Sequence, residues 1–492
     1  MDRGVVRKGR GIIESRRMVS FLHPHRARRR EHEPAAVPGP TASELMWNLL
    51  SRKIVRQPFS LAAAPGPPLV AAILLVGLAA PMDGQVGAGR SASAIRQSTP
   101  AADQITPDRQ PAVRLGIDVL LDRGAEPIRG KRVGLITNHT GFGAGGSSID
   151  LLHGHEEVEL VALFSPEHGL QGRAEAGEHV ASGRDPRTGL PIHSLYGETR
   201  KPTPEMLEGL DALVFDIQDI GTRYYTYVWT MALALQAAAE HGLTFVVLDR
   251  PNPLGGERAQ GNVLEESHAS FVGLYPVPMR HGLTAGELAR FLNGEYRIGA
   301  DLVVVPMEGW RRAMWYDETG LEWIAPSPNM PSLESAIHYP GTCLFEGTNL
   351  SVGRGTEIAF QQIGAPWLDN ETLARRLNEY GLPGVRFEPV RFTPESPGDG
   401  KFGGQTVRGI RFVATDRDRY DPTRAAIAAL VEIRRLHPDR LEWRAAHFDR
   451  LVGNGRVRTA IAAGTPFSEI VASWDDELAA FHARSSRYWL YP

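Results

Sequence analysis

A doubly wound α/β domain followed by a smaller C-terminal α/β or α+β domain is the fold class this sequence predicts. Three observations carry the prediction. Short apolar runs recur from Val113 onward, segments with helical spacing lie between them, and the pattern restarts after Gly364-Ala-Pro-Trp367. With 492 residues the chain is also too long for one ordinary core. The larger domain is assigned to residues 112–362 and the smaller to 363–492.

The apolar runs at 132–137, 159–164, 212–215, 244–248 and 302–305 read as strands. They are near-continuous rather than alternating, as expected when helices cover both faces of a parallel sheet. Helical spacing marks 229–241 and 284–293. The second of these begins Thr284-Ala-Gly-Glu287, the spacing of a capping box. In the smaller domain, 370–377 and 423–436 read as helices and 407–413 as a strand.

The first hundred residues have a different character. Residues 1–45 are arginine-rich without hydrophobic periodicity and read as disordered or as an over-extended start. Met46 precedes a basic segment, Ser51 to Arg56, and then an apolar run from Leu69 to Ala80. A basic flank, about a dozen apolar residues and small residues after them fit a secretory signal within 46–88. A membrane-spanning helix needs about 20 apolar residues, so no stable span is expected once the signal is removed. Residues 89–111 read as a flexible leader, and the protein as exported to the periplasm or beyond.

Composition excludes several function classes. A formal net charge of -3 leaves no electrostatic footprint for nucleic acid. A single cysteine, Cys343, excludes an internal disulfide framework and a multi-cysteine metal site. As a small buried filler it needs no further role; as a nucleophile it would need an activating partner.

Open parallel sheets bind ligands beyond the carboxyl ends of their strands. Four successive strands here end in polar residues. Thr137-Asn138-His139 follows the first, and Ser165-Pro-Glu167-His168 the second. The third leads into Asp216, Gln218, Asp219, Arg223, Tyr225 and Tyr227, and the fourth into Asp249-Arg250-Pro-Asn252. Each stretch alone is a good turn or cap. Caps, however, do not call for arginines and tyrosines at the same end. His281, Asn329, Glu346, Asn349 and Arg354 extend the polar set, with glycines flanking Arg354 that let backbone N–H groups approach an anion.

No G-x-S-x-G elbow follows a strand, and the glycine run Gly141 to Gly146 lies beyond Thr137-Asn-His-Thr140 instead of directly after its strand, so a serine hydrolase of that class and a nucleotide cofactor are not expected. His153, His155 and Glu156 form only a superficial metal-like cluster, and no metal is assigned. Carboxylates, amides, tyrosines and arginines without a nucleotide loop suit a polyhydroxylated substrate and carboxylate-driven glycoside hydrolysis.

The ordered series TNHTG, FSPEHG, FDIQDIGTRYYTY, LDRPNPLGG, RHGLTAGEL, PSPNMPS and FEGTNLSVGRGT resembles the NamZ family of exo-β-N-acetylmuramidases, glycoside hydrolase family 171, formerly a domain of unknown function. The resemblance covers roughly residues 113–492, with FDRLVGN at 448–454 and the closing YWLYP. It implies a Rossmann-like domain, a smaller C-terminal domain and a cleft between them. It also implies release of N-acetylmuramic acid from non-reducing ends of peptidoglycan fragments, with muramyl saccharides as the partners and no cofactor.

On that basis Glu167 is the leading general acid, and the apolar strand ahead of it supplies desolvation suited to that role. His168 is its candidate neighbour. Asp216, Asp219 and Glu346 are candidates for a second carboxylate, and attack by the substrate's own acetamido group stays open. Arg354 or Arg223 is expected on the lactyl carboxylate. Asn138, Asn252 and Asn349 are expected on hydroxyl or acetamido groups, and Tyr225 or Tyr227 against the sugar ring. Gln218, Arg250, His281 and Asn329 complete the expected contacts. The residues alone leave two rivals: a non-catalytic sugar-binding envelope protein, and an amidase or esterase acting on the same material.

Overall fold

The computed structural model describes residues 113–492. The start, export signal and leader read from 1–45, 46–88 and 89–111 lie outside the described residues. The central sheet contains β1 (Arg132–Thr137), β2 (Glu159–Ser165), β3 (Gly183–Arg184), β4 (Pro191–Ser194), β5 (Ala212–Asp216), β6 (Thr244–Leu248) and β7 (Asp301–Val305). Their spatial order is β7-β6-β5-β1-β2-β4-β3. Every neighbouring pair is parallel except β4 with β3 at the edge. The five expected strands are all present. Absent from the sequence reading were β3 and β4, which are too short to show a period.

Alternation within each strand divides the apolar residues between two cores. Val133, Leu135, Val214, Val246 and Leu248 pack on one side with Ile117, Val119 and Leu120 of α1 (Gly116–Asp122). Ile136, Leu213, Phe215, Phe245 and Val247 pack on the other, against α2 (Tyr227–His241) and α3 (Ala285–Glu295). Both faces are therefore covered, which is why the strands are apolar throughout. Gly134 is required by this packing. A Cβ there would lie 2.7 Å from the Phe164 ring and 2.9 Å from Leu210. The capping box expected at Thr284 forms, with Thr284 Oγ1 accepting from Glu287 N–H and Glu287 accepting from Thr284 N–H.

The C-terminal half is α+β. Strands β8 (Gln362–Ala365), β9 (Val385–Phe392) and β10 (Val407–Ala414) form an antiparallel sheet in the order β8-β10-β9. Around it lie α4 (Leu333–Thr342), α5 (Asn370–Glu379), α6 (Pro422–Leu436) and α7 (Ala445–Val452). Pro389 concealed β9 in the sequence. It is tolerated because β9 is an edge strand, paired only with β10. Phe345, Ile363, Phe412, Ile427 and Phe448 belong to the same apolar cluster as α2, so the halves share a continuous core. No helix among the described residues is long and apolar enough to cross a membrane.

The strand order reverses at β1 and β5, where a doubly wound sheet ordinarily opens a crevice. Here the chain closes it. Thr137 Oγ1 donates to the Asp216 carbonyl at 2.8 Å, and Gln218 N–H donates to Thr140 Oγ1 at 3.0 Å. The Arg250 guanidinium holds the Asp216 carboxylate at 2.5 Å and 2.9 Å, with Asp216 at 0% exposure. Removing one member of such a pair leaves a buried charge without its partner. Asp216→Ala is accordingly expected to lower unfolding free energy by about 3–5 kcal/mol, read from denaturant midpoints. A loss like that of an exposed pair, below about 1 kcal/mol, would contradict this placement.

Candidate active site

A cavity of about 470 Å³ opens between the two halves. Strand β2 delivers Glu167 and His168 to one wall, and the start of α2 adds Tyr225 and Thr226. The opposite wall carries Glu346 from the short turn Cys343–Gly347, together with Arg354, Lys401 and the α7 residues His447 and Arg450.

The local geometry explains why an apolar strand ends in an acid and a histidine. His168 has φ 69°, and Gly169 follows with φ 74°, so the chain reverses immediately after Glu167. Left-handed backbone costs a non-glycine residue roughly 1–2 kcal/mol, and such strain persists where surrounding contacts fix it. Those contacts are present. His168 Nδ1 bonds the Ala174 carbonyl at 2.6 Å, closing a loop that brings Gly177 N–H to Glu167 Oε1 at 2.9 Å. Thr226 Oγ1 donates to Glu167 Oε2 at 2.6 Å, and the Tyr196 phenol stands against the same carboxylate. Burial, and then the charge of Glu167, push the Tyr196 hydroxyl well above the ordinary tyrosine range. Gly177 N–H can only donate, whereas the hydroxyls can donate to a carboxylate or accept from a carboxylic acid. Glu167 is thus held in place in either protonation state.

The loop is also docked from beneath. Gly172 lies against the His139 imidazole, with no room for a Cβ, and His139 Nε2 reaches the Ala325 carbonyl at 2.8 Å. On its far side Asn329 Nδ2 donates to Glu175 Oε2 at 3.3 Å.

Glu346 is set among cations. Burial pushes its carboxyl pKa upward, but the charges of Arg354, His447 and Lys401 outweigh burial and hold it below the usual range. Arg354 Nε and Nη2 both approach Glu346 Oε1, at 2.7 Å and 2.6 Å. Burial lowers the Lys401 ammonium to about 8 against the opposing charges of Asp399 and Glu346. Cys343 Sγ lies 3.6 Å from Glu346 Oε2. Burial and then the Glu346 charge raise the thiol far above its ordinary value, which is unsuited to a nucleophile.

Of the expected site residues, the cavity gathers Glu167, His168, Tyr225, Asn329, Glu346 and Arg354. The others support it. Arg223, 0% exposed, donates to the carbonyls of Asn262, Val277, Leu451 and Val452 and so ties the halves together instead of meeting a ligand. Arg354 lines the cavity, but its donors toward Glu346 occupy it. Asp216 and Arg250 hold each other. Gln218 Nε2 donates to the carbonyls of Asp219 and Pro251, and Asn252 Nδ2 to that of Leu283. Asn138 Oδ1 accepts from Thr140, and Asn349 Nδ2 donates to the Arg440 carbonyl. Tyr227 OH donates to the Pro326 carbonyl at 2.6 Å. Asp219 accepts from Gly221 N–H, with the His281 imidazole 3.9 Å away. Burial, then the charge of Arg280, lower His281 to about 3, so it is neutral there.

The sequence reading missed Tyr196, Thr226, Lys401, Arg444 and His447. Thr226 stood in view within the RYYTY stretch. The cations of the C-terminal half carried no signal until the fold brought them to the cavity. His153 and His155 lie at a helix end, and among the described residues no three His, Cys, Asp or Glu side chains gather as metal ligands.

Two family models match this arrangement half by half. The N-terminal model of the exo-β-N-acetylmuramidase NamZ matches residues 133–334, and the C-terminal one residues 337–491. The chain belongs to the NamZ family. It is 47% identical over 385 residues to the peptidoglycan β-N-acetylmuramidase NamZ of Bacillus subtilis strain 168, covering 78% of this chain and 92% of that one. A DUF1343 family protein of Bacteroides fragilis NCTC 9343 superposes with a TM-score of 0.73 at 40% identity, covering 78% of this chain and 100% of that one. A second from the same organism gives 0.62 at 32% identity, covering 77% and 99%. NamZ membership thus joins the α/β fold to the cleft bearing Glu167 and Glu346.

Asp219 gives the site's scaffold a pH dependence. Burial raises its carboxyl from 3.8 to about 7, partly offset by the N–H groups of Gly221 and Ile220. Between those values the folded chain holds a proton that the unfolded chain has lost, so stability falls as pH rises through this window. Burial raises Asp249 to about 6, which acts in the same direction. Asp219→Asn is expected to flatten the decline in denaturant midpoint between about pH 4 and about pH 7. An unchanged slope would show that Asp219 ionises normally.

Proposed function

We propose that the protein is an exo-acting glycoside hydrolase that releases N-acetylmuramic acid from non-reducing ends of peptidoglycan fragments. One observation carries the mechanism: carboxylates from both halves, Glu167 among N–H and hydroxyl donors and Glu346 against Arg354, face the same cavity. Glycosidases use two such carboxylates, one to give a proton and one to stay charged.

Glu167 gives its proton to the glycosidic oxygen as the bond to the anomeric carbon breaks. As that proton leaves, the hydroxyls of Thr226 and Tyr196 and the N–H of Gly177 all donate to the carboxylate and stabilise its new charge. Glu346, held ionised by Arg354, faces the positive charge that develops on the sugar ring. Water then bonds to the anomeric carbon, directly or after the substrate's acetamido oxygen has closed on it, and its proton passes to a carboxylate of the cleft. His168 is a positioning residue, because its bond to Ala174 brings Gly177 within reach of Glu167.

A cavity of about 470 Å³ lies within the range of roughly 300–1,000 Å³ usual for small-molecule sites. The loop through Glu175 reaches Asn329 and packs against Gly398, closing one side of the cavity. That closure supports action on a chain end. The basic segment Ser51 to Arg56 and the apolar run Leu69 to Ala80 support an exported location.

Incubation with a muramyl-glucosamine disaccharide, followed by mass spectrometry, tests the reaction. Free N-acetylmuramic acid and N-acetylglucosamine are expected. An intact disaccharide, or a product cleaved only at an amide or ester, would contradict the assignment.

A further inference from the structure

A muramyl residue differs from a glucosaminyl one by a lactyl ether whose carboxylate is anionic at neutral pH. Taking that anion into a cleft requires a cation with free donors. The acids Glu167, Glu175, Glu178, Glu346 and Asp399 also line the cavity, so only its basic edge can receive the lactyl group.

Four arginine and lysine side chains stand on that edge, and three are engaged. Arg354 is held by Glu346. Lys401 Nζ donates to the Leu350 carbonyl at 2.8 Å and lies 3.8 Å from Asp399. Arg450 is half-buried and has a partner of its own. Arg444 differs: it lines the cavity, is exposed, and among the described residues its guanidinium makes neither a hydrogen bond nor an ion pair. Its backbone is nevertheless fixed. Arg444 N–H donates to the Gly347 carbonyl at 2.8 Å, and its own carbonyl accepts from His447 and Phe448 at 2.9 Å, where α7 begins. An unengaged fork on a fixed backbone, beside the turn bearing Glu346, matches the planar bidentate geometry of a carboxylate.

We propose that Arg444 is the receptor for the lactyl carboxylate and determines the preference for muramyl over glucosaminyl residues. The proposal rests on the glycosidase reading above, and it transfers to Arg444 the role the sequence had suggested for Arg354 or Arg223.

Calorimetric titration of the full chain with N-acetylmuramic acid and with its lactyl primary amide tests it, because the two ligands differ only at the carboxyl group. The wild type should bind the acid more tightly. Arg444→Ala should weaken binding of the acid by about 10- to 100-fold, the effect of losing a charge-assisted hydrogen bond, and change binding of the amide little. Arg444→Lys should recover part of the acid preference, which also reports that the site is folded. Retention of the acid preference by Arg444→Ala, equal weakening for both ligands, or no preference in the wild type would each overturn the proposal. Absence of turnover in the disaccharide assay would instead strike at the glycosidase reading and leave this binding comparison decisive for Arg444.

Discussion

A single carboxylate at the end of β2 is the common partner of three separate chain segments. Glu167 receives the N–H of Gly177 from the loop that follows it and the hydroxyl of Thr226 from the start of α2, with Tyr196 alongside. Each contact satisfies a polar group at the edge of an apolar sheet, where an unpaired carboxylate would be costly. The same contacts aim the carboxylate into the cavity. Local strain at His168 is the cost of turning the chain sharply enough to make them.

The C-terminal half acts on this carboxylate across the cleft. Its sheet and α7 bring Arg354, Lys401 and His447 around Glu346, so the second acid remains charged despite burial. Arg223 secures the join, with four backbone carbonyls from both halves on a single guanidinium. Fixed charges in a partly dry cleft act more strongly than they would in water, provided they need not reorganise during reaction. The shared apolar core supplies that rigidity.

Much of this was legible in the sequence. The five central parallel strands announce themselves because helices cover both faces, which forces apolar runs such as Val133 to Ile136. Glu167 was legible as an acid at a strand end, and the family motifs singled it out. Asp216 looked equivalent, since it also follows an apolar strand. It differs through Arg250, which lies 34 residues away and neutralises it in the interior, with the Ser148 hydroxyl on the same carboxylate. Whether a strand-end acid meets a ligand or a buried arginine is decided by tertiary packing. The same limit hid Arg444 and Lys401, whose local sequence resembles any solvated helix start or loop. It also misdirected the reading of Arg354, whose flanking glycines suggested anion binding when the anion is Glu346 itself.

Dependence on the leaving group tests Glu167 as proton donor most directly. The substrates are a muramyl-glucosamine disaccharide, whose sugar alcohol must be protonated to leave, and a nitrophenyl muramyl glycoside, whose phenol need not be. Glu167→Gln should lower kcat/KM for the disaccharide by about 10²- to 10⁴-fold, the usual contribution of general acid catalysis, and spare most of the activity on the aryl glycoside. Equal losses on both substrates would contradict that role and leave Glu167 as a structural clamp alone.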